Sequence, residues 1–273
     1  MELQQLIAEG TLQPFKGDRI DDAEAVGVPL LVRASGSATI DVATRQRVHL
    51  VVLHDTAAAS SIELRLGEGC SVDVTDVYTA ECYAAMNVVQ AEASCYRMVA
   101  VLLAGAHADY ATQLNGAHAE SDMYGVFVAV EREHAMVSVN TRHNVADCRS
   151  SSLVKGVAAG RATGEFRGMV YVAQDAQRTD AAQLNRNVEL GAAHITSMPQ
   201  LEIYADDVKC SHGTTVGRLD EEAIYYMQQR GISRREAERL QIEGFVCDVV
   251  SRCEVESLGT MLAESLNEKL QKL

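Results

Sequence analysis

The chain has 273 residues, of which 47% are hydrophobic and 23% charged, and its formal net charge is -14. This composition is typical of folded protein and excludes a disordered chain, and the length allows one large β domain or two ordinary domains. The negative charge and the lack of a basic cluster argue against nucleic-acid binding, because phosphate backbones are bound by grouped Lys and Arg.

Leader and membrane segments are not evident in the sequence. The first ten residues have no positively charged region before an apolar run, and no stretch reaches the ~18 uninterrupted apolar residues of a membrane span. We therefore expect a cytoplasmic protein that does not cross a membrane. The cysteines are scattered and form no CxxC pair, so we expect reduced thiols, most of them buried as small hydrophobes. They are Cys70, Cys82, Cys95, Cys148, Cys210, Cys247 and Cys253.

The first long element is a predicted strand-rich body over residues 29–218, after a short lead-in of residues 1–28. Short alternating apolar runs are broken there by Gly, Ser, Asp or Asn, which predicts β-strands. Their starts recur at roughly 10 to 25 residues, a spacing compatible with a sandwich or a β-solenoid. Abundant Ala, no Trp and few Phe favour a narrow solenoid interior. The clearest runs are Val48 to Leu53, Ser61 to Leu66, Ser71 to Val77, Met98 to Leu103, Gly125 to Val130, Met136 to Asn140 and Phe166 to Val172.

Helical patterns replace the alternation in residues 219–273. Asp220 is a plausible N-cap for a helix from Glu221 to Arg230, which is acidic at its start and basic at its end, and Gly231 can terminate it. The S-x-x-E capping box at residues 233–236 opens a second helix. A third helix is predicted from apolar residues three and four positions apart, namely Leu258, Met261, Leu262, Leu266 and Leu270.

Common catalytic motifs are not found in the sequence. The segment Gly156 to Thr163 lacks the lysine of a phosphate-binding loop, so we expect no nucleotide hydrolysis by this chain. There is no G-x-S-x-G elbow and no H-E-x-x-H pair. His134, His143 and His194 have no second metal ligand at a readable spacing, so each is expected at the surface or in a hydrogen bond.

Cys210 and His212 are the exception among these side chains. They lie in the segment Leu201 to Asp220, where a strand would point both to the same face because their spacing is two. Thiolate and imidazole together suit zinc or the iron of a sulfide cluster. Two ligands do not complete a tetrahedral site, so others would come from elsewhere in the chain or from a partner. A buried cysteine beside a surface histidine remains the open alternative.

The run Leu201 to Ile232, followed by Ala237 and Gly244-Phe245, resembles the C-terminal signature of the SufB/SufD family of iron-sulfur cluster assembly proteins, and within it the SufD branch. The resemblance implies a right-handed parallel β-helix over residues 29–218 and a helical segment that docks a SufC-like ATPase over residues 219–273. Full-length members carry a sizeable N-terminal region, whose role is not transferred to the short lead-in expected here.

The same resemblance implies a scaffold rather than an enzyme, paired through its β core with a SufB-like subunit. His212 and Cys210 become candidate interface ligands for a transient iron-sulfur cluster, and no cofactor is expected to bind this chain stably by itself. The candidate residues for docking the ATPase are Asp220, Glu221, Tyr225, Tyr226, Arg230, Gly231, Arg234, Arg235 and Phe245.

Open strand edges also predict that the isolated chain forms a homodimer. Two other hypotheses stay open. One is a purely structural homodimeric solenoid. The other is a β-helix enzyme that acts on polysaccharides through carboxylates such as Asp73, Asp76 or Asp175, although the lack of Trp disfavours a sugar-binding groove.

Overall fold

The computed structural model describes residues 10–21 and 27–272, which are mainly β and end in helices. The strands are β1 Gln13–Pro14, β2 Arg19–Ile20, β3 Leu30–Arg33, β4 Gly36–Val42, β5 Arg47–His54, β6 Ser60–Leu66, β7 Ser71–Tyr78, β8 Tyr83–Gln90, β9 Cys95–Leu102, β10 His107–Leu114, β11 Glu120–Ala129, β12 His134–His143, β13 Arg149–Gly160, β14 Thr163–Val172, β15 Thr179–Gly191, β16 His194–Ile203 and β17 Val208–Gly217. The helices are α1 Glu221–Gln228, α2 Arg234–Val250 and α3 Glu256–Leu270.

The strands form two parallel sheets, and successive strands alternate between them. Odd-numbered strands make a nine-stranded sheet and even-numbered strands an eight-stranded sheet. Arg47 is in register with Ser71, and Ser71 with Cys95, so one repeat of two strands takes 24 residues in this part of the chain. The predicted mainly β body followed by helices is confirmed, and its strand pairs are parallel, unlike those of a Greek-key sandwich.

The inner faces of the two sheets pack against each other and form a narrow core. Alternate residues of each strand, such as Val48, Leu50 and Val52 of β5, point into it and are buried. The Phe127 ring fits into this core because residue 156 is a glycine. A Cβ at Gly156 would lie 2.2 Å from the ring. This packing explains why the sequence combines many small residues with few aromatic ones.

The helices cover the outer face of the nine-stranded sheet. Apolar residues of α2 and α3, among them Val246 and Leu262, form one cluster with outward-facing Val51, Val99 and Val126. The C-terminal halves of these strands are therefore buried on both faces, and parallel strands of this kind have continuous apolar sequences rather than alternating ones. Each fully buried aliphatic side chain contributes about 1.5–3 kcal/mol, so the helical layer is part of the folded body.

Two buried lysines fasten the helices to the strands. Lys155 of β13 donates to the carbonyl oxygen of Phe245 at 3.0 Å and to Asp248 Oδ2 at 2.7 Å. Lys269 of α3 donates to the carbonyl oxygen of Leu103 at 2.6 Å and to Glu133 Oε2 at 2.7 Å. These polar contacts fix the position of the helical layer, which the apolar contacts alone would specify less sharply.

The helix ends follow the capping signals with small differences. Asp220 Oδ1 accepts from the backbone N–H groups of Glu222 and Ala223, at 2.9 and 3.1 Å. Gly231 has the expected left-handed conformation with φ of +85°, although α1 already ends at Gln228. Ser233 Oγ accepts from the Glu236 N–H at 3.2 Å. The Glu236 carboxylate, the other side chain of this capping box, accepts a hydrogen bond from Arg239 Nη2 at 2.6 Å.

Candidate functional site

Both sheets end at the last two strands of the body. Within the described residues β16 pairs only with β14, and β17 pairs only with β15. Apolar side chains stay exposed at this end, with Ile203 38% and Val216 47% accessible to solvent. A free strand edge with exposed apolar residues is a typical surface for pairing with another chain.

Cys210 and His212 lie on the inner face of the terminal strand β17. Their register partners on β15 are Ala181 and Gln183, which are buried in the core. Because side chains in register point to the same side of a parallel sheet, Cys210 and His212 both face inward at the open end. His212 is exposed there, whereas Cys210 is partly buried.

The Cys210 thiol is protonated more strongly than a free cysteine. Burial raises the pKa of this thiol, a neighbouring backbone hydrogen bond to Ala181 opposes the rise, and the charge of Asp180 adds to it. A metal ion that uses Cys210 as a ligand would have to displace this proton. The cysteine is therefore not activated by its own chain.

Polar side chains line the inner faces just beneath this end. Asn185 Oδ1 accepts from Ser197 Oγ at 2.7 Å and from Asn187 Nδ2 at 2.5 Å. Ser197 Oγ also lies 2.7 Å from Thr214 Oγ1 of β17. Gln183 is fully buried, yet neither atom of its amide has a hydrogen-bond partner. The inward-facing side chains nearest to His212 are therefore polar.

The described part of the chain does not complete a metal site by itself. Nowhere in residues 10–21 and 27–272 do three or more His, Cys, Asp or Glu side chains come together in a way that could hold a metal ion. Cys210 and His212 thus offer at most two donors from one strand. Any ion held between them needs further ligands from outside this set.

The residues predicted to dock an ATPase do not all lie on one exposed surface. Tyr225 and Tyr226 lie on the outer surface of α1 and are 64% and 59% exposed. The Arg230 guanidinium stacks over the Tyr226 ring at 4.4 Å. Arg234 pairs with Glu221 Oε1 at 2.6 Å, which ties α1 to α2.

Four other members of that predicted set serve the fold of the helices. Asp220 caps α1 and Gly231 forms the turn after it. Arg235 Nη2 donates to the carbonyl oxygen of Gln271 at 3.2 Å. Phe245 is half-buried against the sheet, with Lys155 Nζ 4.8 Å from its ring centre. Among the predicted docking residues, Tyr225 and Tyr226 are the large apolar side chains that stay mostly exposed.

The carboxylates considered for a polysaccharide-acting enzyme lie in three separate places. Asp76 is fully buried between the sheets, Asp73 faces outward beside His49 and Arg97, and Asp175 is exposed in the turn after β14. Burial raises the pKa of Asp73, and the nearby His49 and Arg97 charges oppose the rise. A glycosidase needs its carboxylates on either side of one bond, and these three do not line a common groove.

No local sequence motif marks the buried hydrogen-bonded chain of Ser60, His54 and Asp76. Ser60 Oγ lies 3.2 Å from His54 Nδ1, and His54 Nε2 lies 2.8 Å from Asp76 Oδ1. The three residues are at most 5% exposed, and the Tyr78 ring stacks on His54 at 4.1 Å. Asp76 Oδ2 also accepts from Tyr78 and Tyr110, both at 2.9 Å. Because the three residues are buried, their hydrogen bonds satisfy polar groups of the core and do not line a surface groove.

Comparison with known proteins identifies the family of the chain. The family model described as the SUF system FeS cluster assembly SufBD core domain matches residues 24–245. None of the described helices has the length and hydropathy needed to cross a bilayer.

Three curated relatives illustrate the similarity. Iron-sulfur cluster assembly protein SufD of Escherichia coli is 36% identical over 160 residues, which cover 58% of this chain and 38% of the relative. A SufBD family protein of Synechocystis is 34% identical over 139 residues, covering 50% of this chain and 30% of the relative. SufD of Bacillus subtilis is 34% identical over 120 residues, covering 44% and 28%. The chain thus spans well under half of the length of these relatives.

Proposed function

This chain belongs to the SufBD core family of the SUF iron-sulfur cluster assembly system, and we propose that it acts there as a SufD-type scaffold subunit without turnover of its own. The observation that carries the proposal is the extent of the family match, which includes every strand from β3 to β17 and the helix α1. The similarity to SufD of Escherichia coli favours the SufD branch.

For the body we propose a right-handed parallel β-helix. Its support is the regular alternation of strands between two parallel sheets with a repeat of two strands. The crossover connection between two parallel strands of one sheet is right-handed in about 98% of cases, because the strands themselves have a right-handed twist. The open end at β16 and β17 is the proposed contact with a SufB-like subunit.

At that contact we propose that His212 and Cys210 help to hold a transient cluster, which is cargo rather than a resident cofactor. The support is chemical: imidazole and thiolate suit iron and sulfide clusters, and the described residues leave the donor set incomplete. A partner strand beside β17 would bring the remaining ligands. Proton loss from Cys210 would accompany its use as a ligand, because burial raises the pKa of this thiol.

The proposed docking surface for a SufC-like ATPase is the outer face of α1. Exposed Tyr225 and Tyr226 combine a large apolar area with a polar tip, and tyrosines are common among the residues that dominate protein interfaces. Since the sequence has no phosphate-binding loop, ATP hydrolysis would belong to the partner. The proposed location is the cytoplasm, where unpaired cysteines such as the seven here stay reduced.

Co-expression tests the proposal directly. The tagged chain is produced with the SufB-like and SufC-like subunits of its own organism, and the mass of the purified assembly is measured by size exclusion with light scattering. We expect one complex that contains all three chains. Recovery of this chain only as a homodimer would favour the purely structural solenoid, and turnover of an acidic polysaccharide would favour the enzyme; either result contradicts the proposal.

A further inference from the structure

We infer that Gln183 is a positioning residue for His212, to whose imidazole it offers the hydrogen-bond partner that fixes ring orientation and tautomer. The inference rests on the proposed function, since it concerns the same open end of the body. It arises from one anomaly: the Gln183 side chain is 0% exposed, and both its amide oxygen and its amide nitrogen lack a hydrogen-bond partner.

Such an amide is unusual in a protein core. Buried polar atoms are nearly always paired, and an unpaired one reduces stability. The neighbouring inward-facing amides show the normal pattern, because Asn185 and Asn187 bind each other and Asn185 also binds Ser197. Gln183 is the inward-facing side chain of β15 that its own surroundings do not satisfy.

The position of the amide narrows its possible partners. A Cβ added at Gly168 would lie 2.2 Å from Gln183 Oε1, so the side chain crosses the core from β15 and its tip rests against the β14 backbone. Only a glycine leaves this space open. The next layer outward consists of His212, in register with Gln183, and Pro199, in register with Gly168.

Of these two outer neighbours only His212 can form a side-chain hydrogen bond, since proline carries no polar side-chain atom. Thr214 and Ser197, the nearest hydroxyls of the terminal strands, are bonded to each other and to Asn185. His212 itself is exposed on the inner face of β17. An imidazole turned toward the core would therefore meet the Gln183 amide.

This arrangement matches what a metal-binding histidine needs. One ring nitrogen binds the metal and the other donates its N–H to an oxygen, which fixes the tautomer, and loss of that outer partner typically weakens metal binding about 10- to 100-fold. Gln183 Oε1 is the acceptor that the core offers. The unpaired amide is then retained for the site, at the expense of stability in the isolated chain.

Two substitutions separate this role from a merely structural one. Gln183→Met keeps the length and removes the amide, and Gln183→Asn keeps the amide but shortens it. Gln90→Met is the matched control, because Gln90 is equally buried but its Nε2 donates to the Glu120 carbonyl oxygen at 2.9 Å. The urea midpoint of each variant is measured on the isolated chain, and iron affinity and the ¹⁵N shifts of the His212 ring are measured in the assembled complex.

We expect Gln183→Met to keep or raise the urea midpoint, to weaken iron binding about 10-fold and to mix the two His212 tautomers. Gln183→Asn should weaken iron binding and mix the tautomers in the same way, whereas Gln90→Met should lower the midpoint and leave iron binding unchanged. Wild-type iron affinity and an unchanged tautomer in Gln183→Met would overturn the inference. If His212→Ala abolishes iron binding while Gln183→Met does not, the positioning role fails and the proposed site stands; if His212→Ala binds iron normally, the proposed site itself fails.

Discussion

Lys155 Nζ lies 2.7 Å from Asp248 Oδ2, across the boundary between strand β13 and helix α2. The lysine side chain is only 7% exposed, whereas that of the aspartate is 44% exposed. A buried ammonium group needs a nearby negative charge or several acceptors, because its desolvation is costly. This pair therefore holds the helical layer in one position on the sheet.

Asp248→Ala should destabilise the protein by about 1–3 kcal/mol, less than the 3–5 kcal/mol of a fully buried pair because solvent screens the exposed carboxylate. The remaining bond from Lys155 to the Phe245 carbonyl oxygen does not supply a charge. Urea unfolding at neutral pH measures the change. The matched control is Lys155→Met combined with Asp248→Ala, which should lie closer to wild type than Asp248→Ala alone; a single variant of wild-type stability would contradict this assignment.

Stability should fall in mild acid because of His143. This side chain is 0% exposed, and burial lowers its pKa from 6.5 to about 4. A histidine with a lowered folded-state pKa gives stability that is complete above the unfolded value and is lost as the pH falls below it. Between pH 6.5 and about pH 4 the free energy of unfolding should drop by about 3 kcal/mol on this account.

The measurement is the free energy of unfolding across that pH range for wild type and His143→Gln. The glutamine retains a polar partner for Ser150 Oγ, which lies 2.8 Å from His143 Nε2. We expect the variant to be less stable at neutral pH and to show a shallower decline in acid. Parallel curves for the two proteins would show that His143 does not titrate in this range.

Loss of the α1 tyrosines should weaken docking of a SufC-like ATPase without loss of the fold. Truncation of the chain before Leu219, which removes all three helices, is a poor test because it would expose the apolar outer face of the nine-stranded sheet. Tyr225→Ala with Tyr226→Ala removes mostly exposed area and the contact of Arg230 with the Tyr226 ring, so stability should change by at most about 1 kcal/mol. Affinity should fall at least about 10-fold, measured by calorimetry. Tyr204→Ala, 60% exposed but away from α1, is the control, and equal affinity of both variants would rule out this surface.

A charge on the terminal edge should prevent self-association. The isolated chain is expected to dimerise through β16 and β17, and Val216→Lys places a lysine on that free edge, where such charges block strand pairing. Sedimentation should show a monomer in place of a dimer. Gln113→Lys, on the exposed face of the internal strand β10, should remain dimeric; a dimer that survives Val216→Lys would place the contact elsewhere.

The sequence patterns predicted the early body better than its end. Strands such as β5 and β9 have strong apolar runs because both of their faces are buried. Strand β15 is not among the clearest runs, since its inner face carries Gln183, Asn185 and Asn187, and alternation of apolar and polar residues is weak where the inner face is polar.

The candidate site was predicted in part for the same reason. A local motif marks Cys210 and His212, which are two positions apart. Gln183 is 29 positions from His212, and only the register of β15 with β17 brings them together. Likewise, no motif relates His54 to Asp76, which are 22 positions apart in the chain. To predict a contact between neighbouring repeats one must know which residues of the two strands are in register. A single sequence without a strict repeat does not reveal this register.

The most direct test of the account is the iron and sulfide content of the assembled complex with His212→Ala. His212 is exposed, so its loss should cost at most ~1 kcal/mol of stability, and both partner subunits should stay bound. His194→Ala, with a side chain 74% exposed on the other terminal strand, is the matched control. Cys210→Ser should be equally severe if the thiol is a ligand and milder if it is only a neighbour. We predict less iron and sulfide with His212→Ala and wild-type content with His194→Ala; a His212→Ala complex that carries clusters at the wild-type level would contradict the account.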